Sequence, residues 1–299
     1  MTEPDADGFV SLTSPIDLAL TLAPIAHGSG DPTIRFALDG IWRALRTSAG
    51  PATLRLRQAP GGVAVAAWGP GATAAVDGAG DLIGANDDPS LLVPQHRLIG
   101  ELAHRFPGLR LTRTNRPFEA LLPAICEQKV AGVEARAAFR GIIATHGEPA
   151  PGPATLRLPP APATLAALPY FAFHRFGLER RRADLIRRAA QLAPRIEDLP
   201  PGEAYARLGA VPGIGPWTLA EVGRVAFGDP DAVSVGDYHL PNLVAWALVR
   251  EPRADDARML ELLEPYRGQR GRVQRLLEAS GIRAPRYGPR MSPQHIAEL

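Results

Sequence analysis

The chain has 299 residues, 45% of them hydrophobic and 21% charged, which suits one large domain or two modest ones with real cores and argues against wholesale disorder. Its single cysteine, Cys126, excludes an internal disulfide, a cysteine-ligated zinc site and a four-cysteine iron–sulfur cluster. The net charge is only +2, and neither a signal-like leader nor an 18-residue apolar run is present, so a soluble, cytoplasmic protein without a membrane partner is expected.

In chain order, residues 18–23 alternate weakly, and 32–46 carry Ile34, Phe36, Ile41, Trp42 and Leu45 at helical spacing. Residues 52–57 and 63–68, parted by Pro60-Gly-Gly62, read as a β-hairpin. The glycine-rich stretch 69–85 reads as turns with one or two short strands. From about residue 88 the period becomes helical, over 90–106 and 117–146. Seven prolines between Pro149 and Pro169 predict an extended connection. Helices are then predicted near 164–168, 179–193, 202–208, 217–227, 238–249, 255–263 and 268–280. Gly147, Gly209, Gly228 and Gly281 stand where C-caps belong. The expected fold class is α+β: an N-terminal α/β domain over 1–110, an all-helical domain over 111–290 and a C-terminal tail over 291–299.

Charge is uneven along this frame. Lys129 is the only lysine, and every other base is arginine. Residues 175–195 hold seven arginines against Glu179 and Asp184, and 267–290 hold seven against Glu278. Two basic stretches in a nearly neutral chain fit a surface facing a polyanion, although each run alone reads better as a solvated helix face.

The segment Leu208-Gly-Ala-Val-Pro-Gly-Ile-Gly-Pro-Trp-Thr218 is the most informative. A short helix ends, Pro212-Gly213-Ile214-Gly215 makes a tight turn, and Pro216 opens a second helix. The exposed N–H groups and the positive helix end make an anion site, which in a helix-hairpin-helix takes a nucleic-acid phosphate. Asp237, 22 residues past Gly215 in Val233-Ser-Val-Gly-Asp-Tyr-His, opens another helix, where an aspartate is ordinarily an N-cap.

With these segments the chain resembles the helix-hairpin-helix, Gly/Pro-rich loop, aspartate superfamily of DNA glycosylases. Within it the chain is most similar to the bacterial inducible, alkylation-repair type, the DNA-3-methyladenine glycosylases II. Leu92-Val-Pro-Gln-His-Arg-Leu, Phe106-Pro-Gly-Leu-Arg110, Pro117-Phe-Glu-Ala-Leu-Leu-Pro-Ala-Ile-Cys-Glu-Gln-Lys-Val130 and Gly177-Leu-Glu-Arg-Arg-Arg-Ala-Asp-Leu185 follow that family's helices in order, so the resemblance spans about 90–290.

The resemblance implies a monofunctional glycosylase of base-excision repair, acting on double-stranded DNA with damaged bases, as a monomer. Asp237 would stabilise the cation-like sugar and align water. Trp217 would stack the flipped-out base; it stands where bifunctional members carry their Schiff-base lysine, so no lyase activity is expected. Gln128 would lie near the DNA gap and Cys126 would be the inserted wedge, though a buried thiol is the plainer reading of Cys126. Gly213, Ile214, Gly215 and Thr218 would meet phosphate. Glu221 and Arg275 replace pocket aromatics, and Glu221 would favour a cationic alkylated purine on Trp217. Backbone carbonyls of Gly209, Val211 and Gly213 would hold sodium or potassium; no other cofactor is implied. His239, His174 and Lys129 read as surface or DNA-backbone contacts. A non-catalytic helix-hairpin-helix DNA-binding protein, or a glycosylase for another lesion, remain the alternatives.

Overall fold

The computed structural model describes residues 2–285; the tail expected over 291–299, and Arg286 and Arg290 of the second basic stretch, lie outside the described residues. The N-terminal part is an antiparallel sheet of five strands, β1 (Ala6–Ser11), β2 (Ile34–Ala37), β3 (Gly40–Thr47), β4 (Gly50–Ala59) and β5 (Gly62–Trp68), in the order β1-β5-β4-β3-β2. The β4–β5 hairpin forms as predicted, with Leu54 opposite Ala67 and Leu56 opposite Val65.

Three sequence expectations fail here. Residues 34–47 are not helical but a second hairpin, pairing Ile34 with Arg43 and Phe36 with Ile41. Gly40, at φ +133, turns the chain with a Cβ position only 2.6 Å from the Leu56 carbonyl oxygen, so tertiary pairing overrides the apparent helical spacing. Residues 18–22 form a helix, α1 (Leu18–Leu22), because Asp17 Oδ1 accepts the Leu20 N–H at 2.9 Å. The glycine-rich stretch forms α2 (Ala72–Asp77) and α3 (Ala79–Leu82) rather than strands, its alanines packing onto the sheet.

Strand alternation sends Leu54, Leu56, Val63, Val65 and Ala67 to one face, where α1, α2 and α3 cover them. Trp42, Ala44, Ala66 and Trp68 occupy the other, and the proline-rich connection lies across them through Ala154, Leu156 and Leu158. That connection clamps the sheet: Arg46 Nε donates to the Pro159 carbonyl at 2.7 Å and Thr53 Oγ1 to that of Pro151 at 2.6 Å.

The predicted helices follow: α4 (Arg97–Arg105), α5 (Pro117–Cys126), α6 (Gly132–His146), α7 (Pro162–Ala167), α8 (Arg180–Leu192), α9 (Pro201–Gly209), α10 (Pro216–Val222), α11 (Leu240–Val249), α12 (Asp256–Leu263) and α13 (Arg270–Ser280). Helices α5 to α10 share one core, around Leu121, Ile125, Ile142, Phe173 and Ile186. Helix α4 joins α11, α12 and α13 in a second, around Ile99, Val244, Met259 and Leu277, so packing runs across the boundary expected near residue 110. Gly209 is the last residue of α9, and Ala210, not Gly209, caps it. No helix among the described residues is long and apolar enough to cross a membrane.

Helix α10 passes into a π-turn, Gly223–Phe227. A Cβ at Gly223 would lie 1.7 Å from Tyr205 Oη, so only glycine lets α9 approach there. Such π-turns recur at functional sites because they re-aim the side chains around them.

Candidate functional site

The hairpin joins α9 to α10 through Ala210–Gly215. Gly213 sits at φ +103, with a Cβ position 3.2 Å from Leu185 of α8. Gly215 is the N-cap of α10 in ordinary extended backbone, φ −99, and nothing lies within 4 Å of where its Cβ would be. Two glycines read alike in the sequence thus differ: Gly213 is required by the fold, whereas Gly215 leaves a bare surface at the start of α10. Arg188, exposed on α8, donates to the Pro212 carbonyl at 3.1 Å, and Arg180 and Arg181 are exposed on the same helix, so the first basic stretch borders this turn.

Gln128 ties the end of α5 to the hairpin. Its Nε2 donates to the Gly213 carbonyl at 3.0 Å and to Thr218 Oγ1 at 2.9 Å. Thr218 is 2% exposed, and its side chain meets Gln128 rather than a partner at the surface. Ile214 is likewise buried and belongs to the helical core. Their side chains face inward, which leaves the backbone N–H groups of the turn as what these positions offer a phosphate. Cys126 is also no wedge: it is wholly buried in α5, and burial pushes its thiol up to about 12. The exposed tip after α5 is instead Lys129, at φ +55.

The cation expected on the carbonyls of Gly209, Val211 and Gly213 meets a donor set already partly engaged. Gly213 O accepts Gln128 Nε2, Val211 O accepts the Ile214 N–H at 3.0 Å, and the Arg188 guanidinium stands on the intervening Pro212 O. Gly209 O takes no part in these bonds and each carbonyl oxygen keeps a second lone pair, while the Arg188 guanidinium beside the turn opposes a cation there. No group of three or more His, Cys, Asp or Glu side chains suits a metal among the described residues.

Asp237 and Trp217 come together through Gly236. This glycine, at φ +96, places its Cβ position 3.8 Å from Trp217 Cβ, so the Asp237 loop lies directly on the first turn of α10. Asp237 Oδ1 accepts the N–H groups of His239 and Leu240, each at 2.7 Å, so the N-cap role is real. It leaves Oδ2 without a protein donor among the described residues. Trp217 is half-buried and stacks on no other ring among the described residues. His239 is exposed and packs edge-on against Tyr238, with centroids 4.9 Å apart; His174 packs against Tyr170 at 5.4 Å. Tyr238, 82% exposed beside Asp237, is a candidate the sequence reading passed over, although an aromatic directly after Gly-Asp was its signal.

Glu221 lies one helical turn after Trp217 and is half-buried. Its Oε1 accepts the Ser234 hydroxyl and Arg224 Nη1, the latter at 3.0 Å. Burial pushes its carboxyl up, opposed by the Arg224 guanidinium and the Ser234 hydroxyl. Glu221 also lines a cleft of about 60 Å³ between the sheet and α5, with His27, Arg43, Glu119, Glu127 and Phe139. Arg43 pairs with Glu119 at 2.8 Å, and His27 lies 3.8 Å from Glu127. Arg275 does not reach that cleft: it is 7% exposed and donates to the Leu20 carbonyl at 2.5 Å.

No protein-family model matches the sequence, and no curated protein matches it. Solved structures do. A 3-methyladenine DNA glycosylase from Archaeoglobus fulgidus superposes with a TM-score of 0.75 at 18% identity, over 91% of this chain and 98% of that one. The 8-oxoguanine glycosylase/lyase of Clostridium acetobutylicum, in complex with double-stranded DNA, gives 0.70 at 13% identity, over 94% and 100%. The 3-methyladenine DNA glycosylase Mag1 of Schizosaccharomyces pombe, bound to abasic DNA, gives 0.52 at 16% identity, over 67% and 98%. The chain has the fold of these DNA glycosylases.

Proposed function

We propose that this protein is a monofunctional DNA glycosylase that hydrolyses the N-glycosidic bond of flipped-out alkylated purines in double-stranded DNA. The observation that carries the reading is the seating of the Asp237 loop on Trp217, whose Cβ lies 3.8 Å from the Cβ position of Gly236, the residue before Asp237. The fold shared with glycosylases of methylated and oxidised purines supports the general reaction. The half-buried indole of Trp217, which stacks on no other ring among the described residues, supports the alkylated class, because a cationic purine gains more from an aromatic face than a neutral one does.

In this mechanism the base stacks on Trp217 by cation–π attraction. The C1′–N bond breaks with both electrons going to the base, which leaves neutral. Positive charge spreads over the deoxyribose C1′ and ring oxygen, where the Asp237 carboxylate stabilises it. Water then bonds to C1′ and gives its proton to solvent. The hairpin carries Trp217 and no lysine, and Lys129 stands at the exposed tip after α5, so an abasic product without strand cleavage is proposed. Gly215 and the first turn of α10, flanked by Arg188, Arg180 and Arg181, would take the DNA phosphates, and the protein would act as a cytoplasmic monomer on the nucleoid.

The test is base release from methylated duplex DNA by the wild-type protein beside Asp237→Asn. Release of methylated purines, with a loss of about 10²-fold or more in the variant at unchanged DNA affinity, is expected. A wild-type protein that binds duplex but frees neither methylated nor oxidised purines would overturn the reading in favour of a binding-only protein.

A further inference from the structure

The loop carrying Asp237 is anchored through Ser234, every polar atom of which is engaged, and through the Gly236 N–H, which donates to Asp256 Oδ1 at 3.1 Å. The Ser234 N–H donates to Gln274 Oε1 at 3.1 Å, and its hydroxyl donates to Glu221 Oε1. That hydroxyl accepts Gln274 Nε2 at 3.0 Å and lies 3.3 Å from Arg224 Nη1. Its carbonyl accepts the Asp237 N–H at 3.1 Å, closing a turn over Gly236. Ser234 and Gln274 are each 1% exposed. Arg224 is shared, reaching Glu221 with one nitrogen and Glu278 Oε2 with the other at 2.5 Å, while Gln274 Nε2 also meets Glu278 Oε1 at 2.8 Å. Three elements therefore converge on one serine: α10, its π-turn and α13.

We propose that Glu221, Ser234 and Gln274 are positioning residues that hold Asp237 over Trp217, and that Glu221 acts through Ser234 rather than on the substrate. The inference rests on the glycosylase reading above and revises the part expected of Glu221 from the sequence. Hydrogen bonds that complete a buried network rigidify it, whereas one missing partner leaves a costly unpaired group. A catalytic carboxylate displaced by about 1 Å can lose on the order of 10²-fold in rate without any loss of binding. Asp237 is held at two points: its backbone N–H on Ser234, and Oδ1 on the first turn of α11. The first is made by the Ser234 backbone carbonyl, whose position is fixed by the contacts of the same residue's hydroxyl and N–H with Glu221 and Gln274. The π-turn contributes because Arg224, its second residue, is thereby brought to both carboxylates and to Ser234.

The experiment compares wild type, Ser234→Ala and Glu221→Gln in three measurements: single-turnover base release from methylated duplex, duplex affinity, and amide hydrogen exchange at His239 and Leu240, the two donors to Asp237. Ser234→Ala is expected to slow release by about 10- to 100-fold with affinity within about twofold, and to speed exchange at both amides by about tenfold. Glu221→Gln keeps an acceptor for the Ser234 hydroxyl but loses the charge that pairs with Arg224, and is expected to shift release and exchange in the same direction by a smaller factor, with affinity within about twofold. Unchanged exchange in Ser234→Ala overturns the proposal, as does faster exchange with an unchanged rate. A parallel fall of affinity and rate, with Glu221→Gln as impaired as Ser234→Ala, marks a merely structural role and also overturns it. If the wild-type protein frees no base, the glycosylase reading fails, while the exchange measurement still decides whether this network holds Asp237.

Discussion

Gln128 Nε2 lies 2.9 Å from Thr218 Oγ1, and this contact joins the end of α5 to the first turn of α10. Because Thr218 is 2% exposed, its hydroxyl has no easy access to water once Gln128 is gone. Gln128→Ala should therefore cost about 1–3 kcal/mol in urea unfolding, the penalty of a buried polar group left alone. It also frees the Gly213 carbonyl, so duplex affinity should fall by a few-fold. A variant with wild-type stability would mean that Thr218 finds another partner.

The two hairpin glycines should respond oppositely to alanine. Gly215→Ala meets nothing within 4 Å and keeps ordinary backbone, so thermal stability should stay near wild type while a phosphate approaching α10 is obstructed. A tenfold or greater loss of duplex affinity, about 1.4 kcal/mol or more, is expected by titration at fixed salt. Gly213→Ala, forced to φ +103 against Leu185, should instead lose about 1–2 kcal/mol of stability. Wild-type affinity in Gly215→Ala would remove the phosphate role from this turn.

Cys126 should be chemically silent in the folded protein. Its thiol is wholly buried and pushed up to about 12, so an aromatic disulfide reagent should label it only at the rate of unfolding. Rapid stoichiometric labelling in native buffer would show that the end of α5 opens.

Stability should fall as the pH rises through neutrality, because of Glu197. Its Oε1 accepts the Phe118 N–H at 3.0 Å at the start of α5, Oε2 has no partner, and Arg116 stands no closer than 4.0 Å. Burial lifts this carboxyl from the usual 4.5 to about 7, with Glu119 and Asp198 adding to it against Phe118 and Arg116. The folded state then binds more protons than the unfolded one between those values, so stability is fullest below about pH 4.5 and declines up to about pH 7 for this group. Glu197→Gln should abolish the decline, gaining about 1–2 kcal/mol over wild type at pH 8 and much less at pH 5 in chemical denaturation. Equal gains at both pH values would assign the effect to packing rather than to ionisation.

Much of the helical part was legible because its signals are local. Apolar residues at three- and four-residue spacing, Pro216 at a helix start, and glycines after helix ends all act within a turn or two of chain, and α8 to α13 fall close to their predicted bounds. The hairpin string and the Gly-Asp pair were readable for the same reason. The N-terminal sheet was half-legible: β4 and β5 announce themselves through alternation about Pro60-Gly-Gly62. In contrast, β2 and β3 carry a pattern that fits either period until Ile41 finds Leu56 across the ladder.

What the sequence by itself determined is the inventory: a lysine-free hairpin, a tryptophan inside it, an aspartate after a glycine, and too few cysteines for a cluster. Which of those residues face a ligand was decided only by tertiary packing. Cys126 at the end of α5, Ile214 in the hairpin turn and Thr218 in the first turn of α10 all pack against neighbouring elements, so three side chains turned inward. Glu221 met Arg224 and Ser234, and Arg224 met Glu278, the serine 13 and the second glutamate 57 positions past Glu221, and no local rule reports such distant pairings. Burial and long-range hydrogen bonding are properties of the packed whole, whereas caps, turns and periods belong to neighbours in the chain.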